Sequence, residues 1–458
     1  MNDITAFFAF LKYCLGYKEN MSRVIAGMNW HELYSFASKQ ALLGLCFEGI
    51  ERLGEEYPEE LRLNPIGREL LMTWMGKAQQ IRRQNRKVNA VAGKLFAMLR
   101  VDGMRCCVLK GQGNALMYPN PYSRTPGDID VWIDASRERI MEYAQKKFEL
   151  EDDIRLQHLE TSLDGVPVEL HFFPCSMNNP IYHARLQKWF QRYADLQCSH
   201  IVGLPDGAGD IAIPTTAFNV VYQLTHLYHH FFDEGIGMRQ IIDYFLVVND
   251  FSKNVFLNND LSNHPVNFSN HPVPLSKEGS TFSPSPSSSG SGDVTAPSRC
   301  SEPLRSKDGG PSKVSPDCAG WDRLAIEGDN SAGSTTVVTS SASTALDVVQ
   351  RELKYLGLWK FAGAVMYVLH EALGLSEEKM IAPMDEKRGK LLLAEILNGG
   401  NFGRHFTKYG HFTQQGMAKK YFLKIWRNMH FVRYYPAEAF SEPIFRTWHF
   451  FWRLKHRR

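Results

Sequence analysis

Apolar positions change their period along this chain, and each change marks a different kind of element. From Ile4 to Leu99 they recur at helical spacing. Trp30, Leu33, Phe36, Ala37, Ala41 and Leu42 form one stripe, and Ile81, Val88, Val91, Leu95 and Met98 form another. Each stripe predicts a helix with one face in a core. At Arg105–Leu109 the pattern shortens to a run that reads as a strand, and at Asp128–Ile133 it becomes strict alternation. There Ile129, Val131 and Ile133 fall on one face of a strand, and Asp128 and Asp130 on the other. Ser136–Phe148 returns to helical spacing behind a Ser cap. Ile154–Thr161 and Val166–Phe173 then read as two strands joined at Asp164-Gly165, a strong hairpin signal. On the return strand Glu169 and His171 share one face, while Val168, Leu170 and Phe172 share the other. Ala217–Asn249 predicts two helices broken near Glu234-Gly235-Ile236-Gly237.

The pattern disappears between Ser252 and Thr344, where Ser, Pro, Gly and Asn dominate and a Ser-Asn-His-Pro-Val unit at Ser262 recurs at Ser269. Such a stretch buries too little apolar surface to offset chain entropy, so it reads as a disordered insertion. Helical pattern resumes near Leu346, and Leu397–Gly410 reads as a loop bringing Arg404 and His405 toward a cleft. The layout is therefore α+β. A helical region (1–97) precedes a small mixed-sheet core (98–195), a helical region lining a cleft (196–251), the insertion (252–344) and a C-terminal helical region (345–458).

The chemistry concentrates around the alternating strand. Asp128 and Asp130 converge on one side, and close carboxylates repel unless a cation or proton intervenes. Mg²⁺ suits such a pair, because it takes oxygen ligands and is usually held by one or two carboxylates plus substrate phosphates. Lys110 and Gly111 sit where the preceding strand turns, and Gln112–Met117 can begin a short helix whose free N–H groups suit an anion. Lys110 offers a point charge and Arg124 a planar fork for phosphate oxygens. Glu169 supplies a third acid on a rigid strand, fitting a two-metal centre in which one group also takes a proton from an attacking hydroxyl.

Other motifs are weaker. Leu116 stands where a dinucleotide fingerprint needs its third glycine, and no P-loop occurs. His226 and His230 are one helical turn apart, but Leu227 replaces the Glu of a zincin, so they read as histidines lining the cleft. Arg239 and Asp243 are also one turn apart and predict a helix ion pair. His264 and His271, in the insertion, read as isolated His-Pro pairs without a metal role.

Lys110, Gly111, Tyr118, Pro119, Arg124, Asp128 and Asp130 together resemble the uncharacterised nucleotidyltransferase family of the DNA polymerase beta-like nucleotidyltransferase superfamily. The likeness extends to Val168-Glu169-Leu170-His171 and to the segment HHFFDEGIGMRQIIDYF, His229–Phe245. It implies a nucleotidyltransferase core and transfer of a nucleoside monophosphate from a nucleoside triphosphate, ATP first, to an unidentified small molecule, carbohydrate or protein. By match, Asp128, Asp130 and Glu169 would be catalytic and hold Mg²⁺ or Mn²⁺. Lys110, Gly111, Gln112 and Arg124 would contact the nucleotide, and His171, His226, His230 and Arg239 would line the cleft. The chain departs from the superfamily at the turn, with Gly111-Gln112-Gly113 in place of Gly-Gly or Gly-Ser, and in a longer gap from turn to acids. A phosphotransferase using the same carboxylates, or a non-catalytic nucleotide- or partner-binding protein of this fold, are the alternatives.

Composition narrows the setting. The 52 Lys and Arg against 49 Asp and Glu leave a net charge of only +3, so the basic end Arg453–Arg458 reads as a solvated helix end and nucleic acid is not an expected partner. The 8 cysteines show no Cys-x2-Cys spacing, which fits reduced thiols in a cytoplasm. Met1-Asn2-Asp3 is acidic, Ile4–Leu15 is too short to span a bilayer, and no later run approaches about 20 apolar residues. A cytoplasmic protein without a membrane partner is the expectation.

Overall fold

A computed structural model describes residues 3–150, 155–261, 344–405 and 417–456. Six helices open the chain: α1 (Asp3–Cys14), α2 (Ser22–Ala26), α3 (Trp30–Lys39), α4 (Leu43–Glu56), α5 (Pro58–Leu63) and α6 (Arg68–Val101). A mixed α/β stretch follows, with β1 (Cys106–Leu109), α7 (Gly111–Ala115), β2 (Ile129–Ile133), α8 (Arg137–Lys147), β3 (His158–Leu163) and β4 (Val166–His171). Then come α9 (Pro180–Ser199), a small hairpin of β5 (Ile201–Gly203) and β6 (Asp210–Ala212), α10 (Thr216–Asp233) and α11 (Met238–Leu261). The later chain supplies α12 (Ala345–Tyr355), α13 (Trp359–Leu373), α14 (Glu386–Gly399), α15 (Met417–Met429) and α16 (Pro436–His456). No helix among the described residues is long and apolar enough to cross a membrane.

The strands form a mixed sheet of order β1-β2-β4-β3, in which β2 and β4 run parallel and the outer pairs antiparallel. Alternation sends its two faces into different surroundings. Cys106, Val108, Ile129, Val131, Ile133, Val168 and Leu170 join a core with α6 residues Val88, Val91, Leu95 and Phe96, and with Ile140 and Ala144 of α8. Each such aliphatic side chain, fully buried, contributes about 1.5–3 kcal/mol. The opposite face turns toward the helical body, where Trp132 lies 6.1 Å from the Phe190 ring and 6.3 Å from Phe218. At 34 residues α6 serves both parts: Leu70, Trp74 and Ala78 enter the helical core, and its C-terminal half backs the sheet.

The helix break falls where the glycines predict it, between Asp233 and Met238. The expected insertion begins later than its composition suggests. α11 continues from Ser252 to Leu261, and Ser252 is buried with its hydroxyl donating to the Val248 and Lys379 carbonyls. Helix returns at Ala345, behind a capping box in which Thr344 and Asp347 exchange side-chain and backbone hydrogen bonds. The rest of the insertion, with His264 and His271, lies outside the described residues.

α13 and the turn between α15 and α16 close on α10 through aromatic rings. Tyr228 lies 4.9 Å from Phe361, Phe231 lies 4.6 Å from Phe431, and Phe232 lies 5.9 Å from Tyr435. At the start of α9 the buried Glu438 carboxylate accepts the backbone N–H groups of Asn178 (2.7 Å) and Asn179 (3.3 Å).

Candidate active site

The register of the parallel pair sets Asp130 directly beside Glu169, and Trp132 beside His171, on the face turned toward the helices. Asp130 is buried, and Oδ1 accepts from Lys110 Nζ and from His171 Nε2, each at 3.0 Å. His171 Nε2 also lies 3.1 Å from Glu169 Oε2, so one imidazole ties two acids on neighbouring strands. Burial alone would raise Asp130, but Lys110 and His171 outweigh it and hold the carboxyl well below the usual range. Burial opposes a charged His171 too, yet its hydrogen bonds to Asp130 and Glu169 raise it to about 9. Glu169 is lowered, the His171 hydrogen bond overcoming the effect of burial.

Asp128 stands just ahead of β2 and is open to solvent. The negative charge on Asp130 is the main reason its carboxyl is pushed up to about 6. Lys110 supplies a counter-charge that pulls Asp128 the other way. Burial would lower its ammonium, but Asp130, Asp128 and Glu169 hold it above its ordinary value.

Lys110 leaves β1 with φ 52° and ψ −126°, followed by Gly111 at φ 36°. A lysine in this region is strained by about 1–3 kcal/mol, a cost usually met where surrounding structure fixes a functional group. Nζ is fixed on two sides, by Asp130 and by His226 Nε2 at 3.2 Å. The helix predicted over Gln112–Met117 shrinks to the single turn α7. Gln112 is buried and donates to Asn89 of α6, so its side chain is engaged away from the acids.

Across from the sheet, α10 and α11 form a wall. The predicted Arg239–Asp243 pair does not form. Asp243 instead takes Arg124 in a two-pronged pair, Nε–Oδ1 2.8 Å and Nη2–Oδ2 2.7 Å, and also accepts the Tyr118 hydroxyl at 2.8 Å. The planar fork of Arg124 matches both carboxylate oxygens, which outcompetes a neighbour on the same helix. Arg124 is 5% exposed, so its guanidinium is spent on this pair. Arg239, 8% exposed, is the surplus cation. Its Nη1 donates to the Thr125 carbonyl at 3.0 Å, its Nε has no partner, and it lies 5.6 Å from the Phe402 ring. Burial, then the nearby Arg124 charge, lowers Arg239 from its ordinary value.

His226 is driven well down by burial and then by Lys110, so it is neutral and accepts from that ammonium. Its ring packs 4.2 Å from His230, which in turn meets Phe402 at 5.4 Å. Phe402 arrives on the loop after α14, drawn close because Gly237 has no side chain: a Cβ there would stand 2.6 Å from Asn401 Cα. Arg404 and His405 follow on that loop, where the His405 ring approaches Gly400 rather than the acids.

Sequence reasoning overlooks two residues at this site. Phe402 carries no local signal. His158 does: it is as far before the Asp164-Gly165 turn as His171 is after it, and the two are register partners. Its ring is driven to about 3 by burial and then by His171, so it is neutral.

The segments that carry the family likeness are thus joined in space, Asp130 to His171, and Tyr118 and Arg124 to Asp243. No curated protein and no solved structure matches the chain. Residues 26–262, more than half of its length, match the family described as "Uncharacterised nucleotidyltransferase", and it is to this family that the chain belongs.

Proposed function

We propose that this protein transfers a nucleoside monophosphate from a nucleoside triphosphate, ATP first, to an acceptor hydroxyl. The observation that carries the reading is the pairing of Asp130 and Glu169 on one sheet face, with Asp128 just ahead of β2 and Lys110 and Arg239 beside them. The residues fit a divalent cation, because Asp128 is exposed oxygen-donor charge opposed by its own neighbours. Asp128 and Asp130 would hold Mg²⁺ or Mn²⁺, with Glu169 as the third acid. When bound, such an ion neutralises phosphate charge and favours in-line displacement at phosphorus.

The protein's own groups have separate tasks. Lys110, anchored by Asp130 and His226, presents a positive charge at the turn where the triphosphate would lie. Arg239 takes the phosphate-facing role that sequence gives to Arg124, since Arg124 is committed to Asp243 while Arg239 keeps an unpaired N–H. Glu169 stays ionised beside His171 and can accept the proton of the attacking hydroxyl.

Asp128→Asn should cut Mg²⁺-dependent pyrophosphate release by at least about a hundredfold, the scale on which one preorganised electrostatic group acts, while the circular dichroism melt is retained. Unchanged release would overturn the assignment, and release of a nucleoside diphosphate in place of pyrophosphate would move the reaction to the γ-phosphorus.

A further inference from the structure

Behind the acid pair, a second donor set lies on the inner strand β4 and the edge strand β3. β4 alternation puts Glu169 and His171 on one face, and the hairpin register places His158 of β3 directly across from His171. Glu169 Oε2 lies 3.1 Å from His171 Nε2 and 3.4 Å from His158 Nδ1, and one ligand atom from each of the three residues falls within 4.8 Å of the others. Tetrahedral coordination with bonds of about 2.0–2.1 Å requires donors roughly 3.3 Å apart. An independent observation points the same way. His158 is 9% exposed, and neither ring nitrogen makes a hydrogen bond, although Nδ1 lies 3.4 Å from Glu169 Oε2 and Nε2 3.5 Å from Glu160 Oε1. A carboxylate can receive the N–H of a neutral imidazole but offers nothing to its lone pair, which stays costly until a donor or a metal ion meets it.

We infer that His158, Glu169 and His171 form a binding site for a borderline transition-metal ion of the Zn²⁺ class, set apart from Asp128 and Asp130 by its nitrogen donors and adjoining Asp130, whose Oδ1 lies 3.0 Å from His171 Nε2. Two imidazoles and one carboxylate suit Zn²⁺ and Co²⁺, whereas Mg²⁺ demands oxygen and holds its waters. The inference shares Glu169 with the function proposed above and depends on that reading in nothing else. Binding displaces the Nε2 proton of His171 to solvent, so its hydrogen bonds to Asp130 and Glu169 are exchanged for the charge of the ion, and the ring's remaining proton then sits on Nδ1. Gln157 Nε2 lies 3.3 Å from that Nδ1, so its amide turns its oxygen toward the ring, giving up the 3.1 Å bond from Nε2 to the Pro174 carbonyl. Ser176, whose Oγ is 3.3 Å from Gln157 Oε1, can partner either amide atom.

The test uses the full chain without nucleotide, in excess Mg²⁺, titrated with Zn²⁺ by calorimetry and with Co²⁺ by visible absorption. One equivalent should bind. His158→Gln should weaken binding at least about tenfold with the melt retained, and Asp128→Asn should leave it unchanged. Gln157→Glu, by giving the His171 N–H a carboxylate, should tighten it about tenfold. Should His158→Gln fail to fold, the electron paramagnetic resonance spectrum of Cu²⁺ on the wild type decides, with nitrogen superhyperfine lines expected. Absence of saturable binding, full affinity in folded His158→Gln, or an oxygen-only copper spectrum would each overturn the site. Metal binding without nucleotide turnover would sink the proposed function alone, and turnover without Zn²⁺ binding would sink this inference alone.

Discussion

Residues 130 and 131 are neighbours on β2 and belong to opposite worlds. Val131 is buried among aliphatic side chains from α6, α8 and the other strands. Asp130, also buried, is held by an ammonium and an imidazole. The apolar face is stabilised by area removed from water and asks only for volume and shape. The charged face is stabilised only while every charge keeps its partner, because an orphaned buried ion is far costlier than an absent pair. One strand thus carries a face tolerant of aliphatic exchange and a face in which each side chain is specified by another.

The largest effect should come from confusing the two faces. Val131→Asp sets an unpaired carboxylate into the aliphatic core and should cost more than about 4 kcal/mol, read as loss of the cooperative melt. A soluble, native-like melt would show that this face is not the dry core described. Next is Arg124→Ala, which leaves Asp243 buried with only Tyr118 and the nearby Arg239 charge. About 3–5 kcal/mol should be lost, measured by urea denaturation. A loss below about 1 kcal/mol would mean Arg239 swings over to replace it.

Glu438 probes charge burial away from the sheet. Burial raises its carboxyl from an ordinary 4.5 to about 7 against the pull of the Asn178 N–H group. The folded state therefore binds a proton more tightly than the unfolded chain does. That contribution is fully present below about 4.5 and is lost as pH rises through about 7. Between pH 4.5 and 8 wild type should lose on the order of 3 kcal/mol relative to Glu438→Gln. Parallel stability profiles for the two proteins would contradict this. The smallest effect is at Asp128, where Asn relieves repulsion from Asp130. In metal-free buffer it should raise stability by less than about 1 kcal/mol, since water screens an exposed group. A clear loss would mean the carboxylate has a structural partner.

The charged face was only half legible in the sequence. Alternation at Asp128–Ile133 and Val166–His171, and the Asp164-Gly165 turn, specify the strands and which side chains share a face, because both signals act over a few residues. The break before Met238 is legible for the same reason. Partners set by how α11 docks on the sheet are not. Asp243 accepts from Arg124, 119 positions away, although Arg239 stands one helical turn off. Gln112 looks like part of a phosphate turn by position, yet the passage of α6 beneath it captures its amide. Residue type and period carry no record of such rigid-body placements, and the surplus charge of Arg239 emerges only once they are known.

The ring contacts between α10 and the later chain bear on what counts as one heritable piece. Kinship is written in residues 26–262, which end just past α11. Tyr228, Phe231 and Phe232 lie inside that limit, while Phe361, Phe431 and Tyr435, on which they pack, lie far beyond it. Phe10 and Leu11, buried in the same core, precede it. A polypeptide trimmed to the shared stretch would put three aromatic rings into water, so the span that marks descent is shorter than the span that must be synthesised before α10 can pack.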